Sequence, residues 1–530
     1  MTTLPIALPL RPADATAASW LYEAIRDLVL RGQLKPGARL PATRDLARQY
    51  GVSRGTVVTA FEQLADEGYI TARTGAGTFV SESLPEEFLQ VTPPTRRSSR
   101  SAVRTEIGRR ARTASPDGGP SEAARSPLRT QSLDSGPARE RGRRRTKLSA
   151  FGKRTPYLRG SLPRPCRAFR TDEPAVDEFP TTLWAQVSGR RLRKASRSLL
   201  LGCDAAGYSP LRQAVADYVR TSRGVRCDDA QVVIVSGIQE ALDLVARVTI
   251  DPGDRVCVED PGYLGAATLL RALGAKVVPV PLDEGGIVTH TRYWKGARLA
   301  YVTPAHQYPL GVSMSLARRM ELLDLAREHG VLLFEDDYDS EYRYAGRPVP
   351  ALQGMDREDV VCFAGSFCKV LFPSLRLGYL IVPPHLVDAV VAAKSVASRH
   401  APLLDQAILA DFIVDGHFGR HIRRMRGIYA ERFEVLSRSA TKELDGLLDL
   451  SPIEAGLQTV GWLPADVEAS DVVDAAGARG VEVTSLASCC TRVRLPNVLQ
   501  LGFAAVRPGQ IRRGTKLLRD AILSVSSSRG

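Results

Sequence analysis

The sequence lacks the features of several classes of protein. None of its 530 residues lies in an uninterrupted apolar run approaching the roughly 18 residues of a membrane-spanning helix. The opening MTTLPIALPL has neither the charged head nor the long apolar stretch of a secretory signal. The eight cysteines are scattered, without a CxxC pair or a histidine partner at zinc spacing. We therefore expect a cytoplasmic protein with no membrane partner, no bound metal and no disulfide framework.

The net charge of +14 is spread unevenly along the chain. Residues 1–83 contain nine basic and eight acidic residues, whereas residues 91–150 contain fifteen basic and five acidic ones. This second stretch is rich in Arg, Ser, Pro and Gly and has almost no aromatic or β-branched residues, so it cannot bury enough apolar surface to fold. We predict a disordered linker over residues 84–156, between folded parts at 1–83 and 157–530. The linker is either a solubilising tether or a sliding contact with DNA phosphates.

The amino-terminal part reads as three helices followed by two strands. Apolar residues recur at helical spacing in SWLYEAIRDLVLRGQL, with Ser19 as the expected cap and Gly32 as the stop. A second helix, TRDLARQYG, ends at Gly51, and a third begins after Ser53, which is its expected cap. The segment GYITARTGAGTFV then predicts two short strands around a glycine-rich tip. This order predicts a winged helix-turn-helix, an α+β unit.

A winged helix-turn-helix presents the start of its third helix to the major groove of DNA. There Ser53, Arg54 and Thr56 can reach bases or phosphates. Further residues are expected to hold the DNA backbone, the glycines because bare main chain can approach phosphates closely: Arg44, Arg73, Thr74, Gly75, Gly77 and Thr78. The segment LPATRDLARQYGVSRGTVVTAFEQLADEGYITARTGAGTFV resembles the winged-helix domain of GntR-type transcription regulators. The resemblance implies a double-stranded DNA operator as partner.

The carboxy-terminal part alternates strand-like and helical segments. Examples are QVVIVSG followed by IQEALDLVARVTI, and RVCVEDPG followed by LGAATLLRALG. This alternation predicts an α/β domain with a mostly parallel sheet. Ligands of such sheets bind beyond the carboxyl ends of the strands, so the residues that follow each strand are the candidates for a site.

Several of those residues suit a phosphate and a flat ring. Gly237 and Gln239 lie where a strand meets a helix, and free backbone N–H groups at a helix start favour an anion. Arg376 could return to the same phosphate as a charged donor. Tyr263, after the next strand, could lay its aromatic face on a planar ligand.

The remaining candidates suit the reactive part of the same ligand. Asp336 and Tyr338 follow one strand with a carboxylate and a phenol, which suit a ring nitrogen and a ring hydroxyl. Lys369 follows a later strand with an amine that can form a Schiff base with an aldehyde. A phosphate, a flat ring, a protonated ring nitrogen and an aldehyde together describe pyridoxal 5'-phosphate.

The same segments carry a family resemblance. AGYSPLRQAVADYV, SGIQEALDL, EDPGY, TPAHQYPLG, EDDYDSEYRYAGRPVPALQG and GSFCKVLFPSLRLGYL look like the fold-type I aminotransferase domain of MocR-type regulators, which joins a GntR-type winged helix to a body that binds pyridoxal phosphate. The resemblance implies that Lys369 is the aldimine lysine and that Asp336 pairs with the pyridinium nitrogen. It implies further roles for Tyr338 at the ring hydroxyl, Tyr263 on the ring, and Gln239, Ser366 and Arg376 at the phosphate. It also implies a homodimer.

The chain departs from the family pattern at three places. Ile238 and Glu240 stand where a small residue and Gln are usual, and Glu240 would bring negative charge towards the phosphate. Cys203 and Asp204 follow Gly202, where a tyrosine that reaches the partner's phosphate is usual. The changes in the loop at 238–240 and after Gly202 both bear on how tightly the chain would bind the cofactor. Near LQLGFA, amino-acid aminotransferases carry an arginine that clamps the substrate carboxylate; here Gln500 falls about there, with Arg492 or Arg494 as alternative clamps.

These residues favour a transcription regulator that senses pyridoxal phosphate, or an amine or amino acid that reacts with it. A competing hypothesis is an aminotransferase with a DNA-binding arm, but turnover needs a substrate clamp and Gln500 argues against one. We therefore do not expect an efficient enzyme, and a residual transaminase half-reaction stays open. A cofactor-free dimerisation scaffold is favoured by the loop departures and opposed by Lys369, Asp336, Tyr338 and Arg376.

Overall fold

The structure is a computed structural model that describes residues 8–9, 11, 17–30, 33–35, 37–66, 69–73, 77–80, 146–156, 165–344 and 350–527. The described residues fall into two compact units, one within residues 1–98 and one that holds the rest. Among the described helices, none is both long and apolar enough to cross a membrane.

The amino-terminal unit consists of three helices and a hairpin. The elements are α1 (Ala17–Leu30), α2 (Thr43–Tyr50), α3 (Arg54–Asp66), β1 (Ile70–Arg73) and β2 (Gly77–Val80). The two strands pair antiparallel. One core joins all five elements because each contributes apolar side chains to it, among them Leu21, Ile25, Leu46, Val57, Leu64, Ile70 and Val80. The predicted winged helix-turn-helix is confirmed.

The helix ends in this unit follow from local chemistry. The backbone N–H of Thr56 donates to Ser53 Oγ at 3.1 Å, so the predicted cap of α3 is confirmed. Gly51 ends α2 in a left-handed conformation with φ of +64°. The predicted cap of α1 is wrong, because the helix begins at Ala17 and Ser19 lies inside it. The two alanines before Ser19 are strong helix formers, so the helix begins three residues earlier than predicted. Gly32 lies outside the described residues.

An eight-stranded sheet forms the centre of the second unit, in the order β3-β10-β9-β8-β7-β4-β5-β6. Strands β4, β5, β7, β8 and β9 are parallel, whereas β10 is antiparallel to both of its neighbours and β6 to β5. The predicted α/β class with a mostly parallel sheet is confirmed. The strands are β3 (Val232–Val235), β4 (Arg255–Asp260), β5 (Lys276–Asp283), β6 (Gly286–Ile287), β7 (Ala297–Val302), β8 (Leu332–Asp337), β9 (Val361–Ser366) and β10 (Gly378–Ile381).

A smaller antiparallel sheet and many helices complete this unit. The small sheet has the order β11-β12-β14-β13 and comprises β11 (Asp449–Leu450), β12 (Gln458–Trp462), β13 (Thr484–Ser485) and β14 (Val498–Gly502). The α-helices are α4 (Ala150–Arg154), α5 (Thr181–Arg193), α6 (Arg197–Leu201), α7 (Ser209–Arg223), α8 (Ile238–Thr249), α9 (Leu264–Leu273), α10 (Thr291–Trp294), α11 (Leu316–His329), α12 (Leu352–Met355), α13 (Phe367–Val370), α14 (Val387–Ala397), α15 (Leu403–Val414), α16 (His417–Glu443), α17 (Ala469–Ala478) and α18 (Pro508–Ser527). The central strands are buried on both faces, as parallel strands covered by helices are.

Part of the predicted linker belongs to this second unit. The linker prediction over 84–156 is wrong for residues 146–156, which contain α4. Arg154 Nε donates to Ala272 O at 3.2 Å, and the guanidinium of Arg247 lies 5.9 Å from the ring centroid of Phe151. These partners are remote in the sequence, so composition alone did not reveal that the segment is ordered. Residues 84–145 lie outside the described residues.

Candidate functional site

The junction between β3 and α8 forms an anion cradle. Gly237 precedes α8 with φ of +146°, and a Cβ at this position would lie 3.6 Å from Arg376 Nη2. The first N–H groups of a helix have no acceptor within the helix, and the helix dipole adds positive character there. Backbone donors and a guanidinium therefore face the same space, and the sequence-predicted pair Gly237 and Arg376 is brought together.

The side chain of Gln239 is directed to the first turn of α9, next to Tyr263. Its Nε2 donates to Gly265 O at 3.2 Å, while its Oε1 is buried without a partner among the described residues. Gly265 has to be glycine because a Cβ there would lie 2.4 Å from the ring of Tyr263. Gln239 therefore holds the loop that carries Tyr263, and its backbone N–H remains at the helix start.

Glu240 does not present a free charge to the cradle. Its Oε1 accepts from Lys394 Nζ at 2.7 Å and from Ser398 Oγ at 2.9 Å, and its Oε2 accepts from the backbone N–H of Ser236 at 2.5 Å. Burial would raise the pKa of Glu240, but the hydrogen bonds from Lys394 and Ser236 outweigh burial and hold the pKa below its usual value. The expected negative charge is thus compensated by Lys394, a residue that the sequence did not single out.

Asp336, near the end of β8, has one oxygen engaged and one free to accept. The hydroxyl of Tyr301 donates to Asp336 Oδ2, whereas Oδ1 is buried without a partner among the described residues. Burial raises the pKa of Asp336 to about 7, against the opposing effects of the Tyr301 hydrogen bond and the Lys369 charge. A buried carboxylate oxygen of this kind fits a protonated ring nitrogen. Tyr301 was not singled out from the sequence.

Lys369 lies on α13, directly after β9, and faces a carboxylate. Its Nζ donates to Asp172 O at 2.8 Å and to Asp172 Oδ1 at 3.1 Å. Asp172 has φ of +66°, an unusual conformation for a residue other than glycine. The hydroxyl of Tyr308 donates to the other carboxylate oxygen of Asp172 at 3.3 Å. Neither Asp172 nor Tyr308 was predicted as a site residue: Asp172 lies in a loop without a recognisable local signal, whereas Tyr308 lies in the quoted segment TPAHQYPLG, which could have pointed to it.

The predicted aromatic residues surround the same space. The ring centroid of Tyr263 lies 6.1 Å from that of Tyr301 and 6.0 Å from that of Tyr308. Burial, together with the carboxylates of Asp336 and Asp172, raises the pKa of Tyr263 to about 12, whereas the charge of Arg376 lowers it. Tyr263 therefore lies within electrostatic reach of the anion cradle and of the acidic residues.

The hydroxyl of Tyr338 lies 3.0 Å from His306 Nδ1, which also lies 2.9 Å from Asp339 Oδ1. Burial and the neighbouring carboxylates raise the pKa of Tyr338 well above its usual value, so the phenol keeps its proton. Ser366 ends β9, and its Oγ accepts from the backbone N–H of Cys368 at 3.2 Å. The hydroxyl proton of Ser366 is therefore left to donate.

A neutral amide, Gln500, occupies the position where a substrate-clamping arginine is usual. Gln500, on β14, is fully buried, and neither amide atom has a hydrogen-bond partner among the described residues. The amide lies beside the Tyr308 hydroxyl and acts to lower its pKa, although burial raises that pKa overall. Arg492 and Arg494, the alternative clamps, are both exposed.

The loop that lacks the expected tyrosine borders a surface cavity of about 890 Å³. Gly202, Cys203, Asp204 and His400 are among the residues that line it. Leu201 also lines the cavity, although its side chain is 74% exposed.

The amino-terminal unit presents the predicted DNA-contacting residues on its surface. Arg44, Ser53, Arg54 and Gly77 are exposed, and Thr56 and Thr78 are half-buried. Arg73 ends β1, whereas Thr74 and Gly75 lie outside the described residues. The exposed Arg39 was missed: its Nε would lie 3.0 Å from a Cβ on Gly77, so a guanidinium stands beside the wing.

A winged helix-turn-helix, together with a partly buried lysine and carboxylates at the carboxyl edge of an α/β sheet, defines a DNA-binding regulator with an aminotransferase-type body. Residues 17–80 match the model of the gntR family of bacterial regulatory proteins, and residues 173–515 match that of aminotransferase class I and II. The chain belongs to the MocR-type transcription regulators of the GntR superfamily, and its body belongs to the class I and II aminotransferase family.

Two full-length relatives support this assignment. The chain is 37% identical to the probable rhizopine catabolism regulatory protein MocR of Rhizobium meliloti, over 98% of this chain and 96% of the relative. It is 30% identical to the pyridoxine biosynthesis transcriptional regulator PdxR of Corynebacterium glutamicum, over 98% of this chain and 99% of the relative. Both relatives therefore share the two-part organisation along nearly their whole length.

Among solved structures, the chain resembles the α-aminoadipate aminotransferase LysN of Thermus thermophilus, complexed with N-(5'-phosphopyridoxyl)-L-leucine. The TM-score is 0.63 at 28% identity, over 68% of this chain and 92% of that one. It also resembles the kynurenine aminotransferase of Pyrococcus horikoshii, with a TM-score of 0.63 at 25% identity, over 68% and 92% of the two chains. The fold-type I aminotransferase fold predicted for the body is thus confirmed.

Proposed function

We propose that this regulator binds pyridoxal phosphate at Lys369 and changes its hold on operator DNA when pyridoxal phosphate, or an amine or amino acid that reacts with it, occupies that site. The observation that carries the proposal is the buried, unpartnered oxygen of Asp336 in the same site as Lys369 and the Gly237–Arg376 cradle. An acceptor for a ring nitrogen, an amine for an aldehyde and donors for a phosphate match one cofactor.

We propose the remaining roles on the basis of where the side chains lie in the site. We assign the phosphate to the backbone N–H groups at Gly237 and Gln239, to the Ser366 hydroxyl and to Arg376. Tyr263 packs on the ring, and Tyr338 supplies a phenol that keeps its proton for the ring hydroxyl. Lys394 supports this arrangement indirectly, because its ion pair with Glu240 keeps that carboxylate from opposing the phosphate.

The chemistry of sensing is amine exchange. Pyridoxal phosphate, if held here, would supply an aldehyde for which the amine of Lys369 and a ligand amine could compete, and Lys369 would be released as the free amine when the ligand takes its place. Asp172 is placed to receive the released lysine, since its carboxylate already accepts from Nζ. The ligand can shift the protein between two arrangements only if it prefers one of them.

On the DNA side, we propose that Ser53, Arg54 and Thr56 read the major groove. Phosphate contacts come from Arg44, Arg73, Thr74, Gly75, Gly77 and Thr78, to which the structure adds Arg39. A homodimer would present two winged helices to paired half-sites. The exposed Leu201 at the 890 Å³ cavity supports a second copy of the chain as the molecule that covers this surface.

The competing function is amino-acid transamination. Turnover requires the substrate to be held as well as activated, and the clamp position holds Gln500 rather than an arginine. We therefore propose regulation without efficient catalysis.

The absorption spectrum of the purified full-length chain tests the cofactor assignment. Added pyridoxal phosphate should produce a visible band that Lys369→Ala abolishes, because the band requires the bond to that amine. Lys442→Ala, at an exposed position on α16, is the matched control and should keep the band. A band of equal intensity in Lys369→Ala would contradict the assignment.

A further inference from the structure

One wall of the space around Lys369 carries polar groups that the cofactor does not need. Asp172 Oδ1 lies 3.1 Å from Lys369 Nζ, and its Oδ2 accepts from Tyr308 at 3.3 Å. The Asp172 side chain is 36% exposed, so it borders open space as well as the lysine. The loop that carries Asp172 is held by the small antiparallel sheet, because the backbone N–H of Asp172 donates to Gln458 Oε1, on β12, at 3.1 Å.

Gln500 belongs to the same wall. It lies beside Tyr308, and its strand β14 pairs with β12, which carries Gln458. Its amide nitrogen and oxygen are both buried without a partner among the described residues. A buried amide without partners is unfavourable, and a ligand that satisfies both atoms relieves that cost. We call Asp172, Tyr308 and Gln500 the polar wall.

The three residues of the polar wall include no cation. In the part of the chain that the structure describes, Arg376 is committed to the phosphate in this proposal, and Lys369, once the ligand amine has displaced it, is engaged by Asp172. Arg170, two residues before Asp172, is engaged by Glu482 at 2.9 Å and by Glu173 at 3.1 Å. A ligand carboxylate at this wall would therefore meet the charge of Asp172 without a compensating guanidinium.

The donors and acceptors of the wall match a hydroxyl group. A hydroxyl can donate to the Asp172 carboxylate and accept from Gln500 Nε2, whereas a carboxylate can only accept. We propose that the effector is an amino alcohol: a primary amine with a hydroxyl, and no carboxylate, on the carbon next to the amine-bearing one. This inference rests on the proposed function, because the amine must reach the cofactor at Lys369.

The pair L-alaninol and L-alanine tests the inference, since the two differ only in the group that would meet the polar wall. Each is titrated into the full-length chain loaded with pyridoxal phosphate, followed by borohydride reduction and mass spectrometry of the protein. Reduction fixes the cofactor to Lys369 unless the ligand has taken its place, so the protein loses the cofactor mass. We expect half-displacement by L-alaninol at a concentration at least about tenfold below that of L-alanine.

Two variants identify the wall as the cause. Gln500→Arg should move the preference towards L-alanine by about tenfold or more, because it supplies the missing cation. Asp172→Asn should lower the preference for L-alaninol, and asparagine tolerates the left-handed backbone at this position. Gln186→Arg and Asp474→Asn make the same changes at exposed positions and should leave the preference unchanged.

The outcomes separate the two proposals. A chain without cofactor mass on Lys369 before titration would overturn the proposed function and this inference with it. A loaded chain from which L-alanine displaces the cofactor at the same concentration as L-alaninol, or a lower one, would overturn this inference alone. A preference for L-alaninol that both wall variants leave intact would also overturn it.

Discussion

Lys394→Met tests whether a buried ion pair protects the anion cradle. Lys394 is 1% exposed, and its Nζ lies 2.7 Å from Glu240 Oε1, whose side chain is 19% exposed. Removing one partner of a buried pair costs about 3–5 kcal/mol, because the other charge stays buried and uncompensated. Glu240 is partly exposed and keeps its bonds to Ser236 and Ser398, so we expect about 3 kcal/mol less stability, at the lower end of that range.

Urea unfolding of the full-length chain, followed by tryptophan fluorescence, measures this loss. The double variant Glu240→Gln/Lys394→Met should recover about 2 kcal/mol, because a neutral amide needs no partner charge. The pKa of Glu240 is lowered by folding, so its contribution is present above the unfolded-state pKa and is lost as the pH falls through the folded-state pKa. The stability gap between wild type and Glu240→Gln should therefore close in acid.

Lys394→Met should also weaken cofactor binding, because the charge of Glu240 then acts on the phosphate without the compensating charge of Lys394. The double variant should restore it. Unfolding of Lys394→Met at the wild-type urea concentration would refute the argument, as would a double variant no more stable than the single one.

Three further predictions concern the other parts of the protein. Arg54→Ala should weaken operator binding about tenfold in a titration, since one base or phosphate contact is lost, and the visible cofactor band should not change; binding equal to wild type would place the reading surface elsewhere. Deletion of residues 91–150 should reduce the salt dependence of DNA binding if the linker contacts phosphates, whereas an unchanged slope would show a simple tether. Tyr301→Phe removes a hydrogen bond that lowers the pKa of Asp336 and should raise that pKa further. The pH below which cofactor affinity falls should then move upward in an absorbance titration, and a midpoint at or below that of wild type would contradict the assignment of Asp336.

The residues of the candidate site could be proposed from the sequence because the signals that point to them are local. Asp336 and Lys369 each lie at or just after the end of a buried strand, and parallel strands bring such positions to one edge of the sheet. Ser53 could be assigned as a cap for the same reason, since its partner Thr56 is only three residues away. Ser19 shows the limit of local reasoning: a suitable cap residue does not end a helix that the preceding alanines can extend.

By itself, the sequence determined the two-part organisation, the winged helix and the order of lysine, carboxylate and arginine, because periodicity and residue type carry that information over short stretches. Only the tertiary structure decided what faces these groups. Asp172 lies beside Lys369 from 197 residues away, and Lys394 meets Glu240 from 154 residues away. The effect of a charge depends on its neighbours, and the packing of the whole sheet and its helices brings those neighbours together.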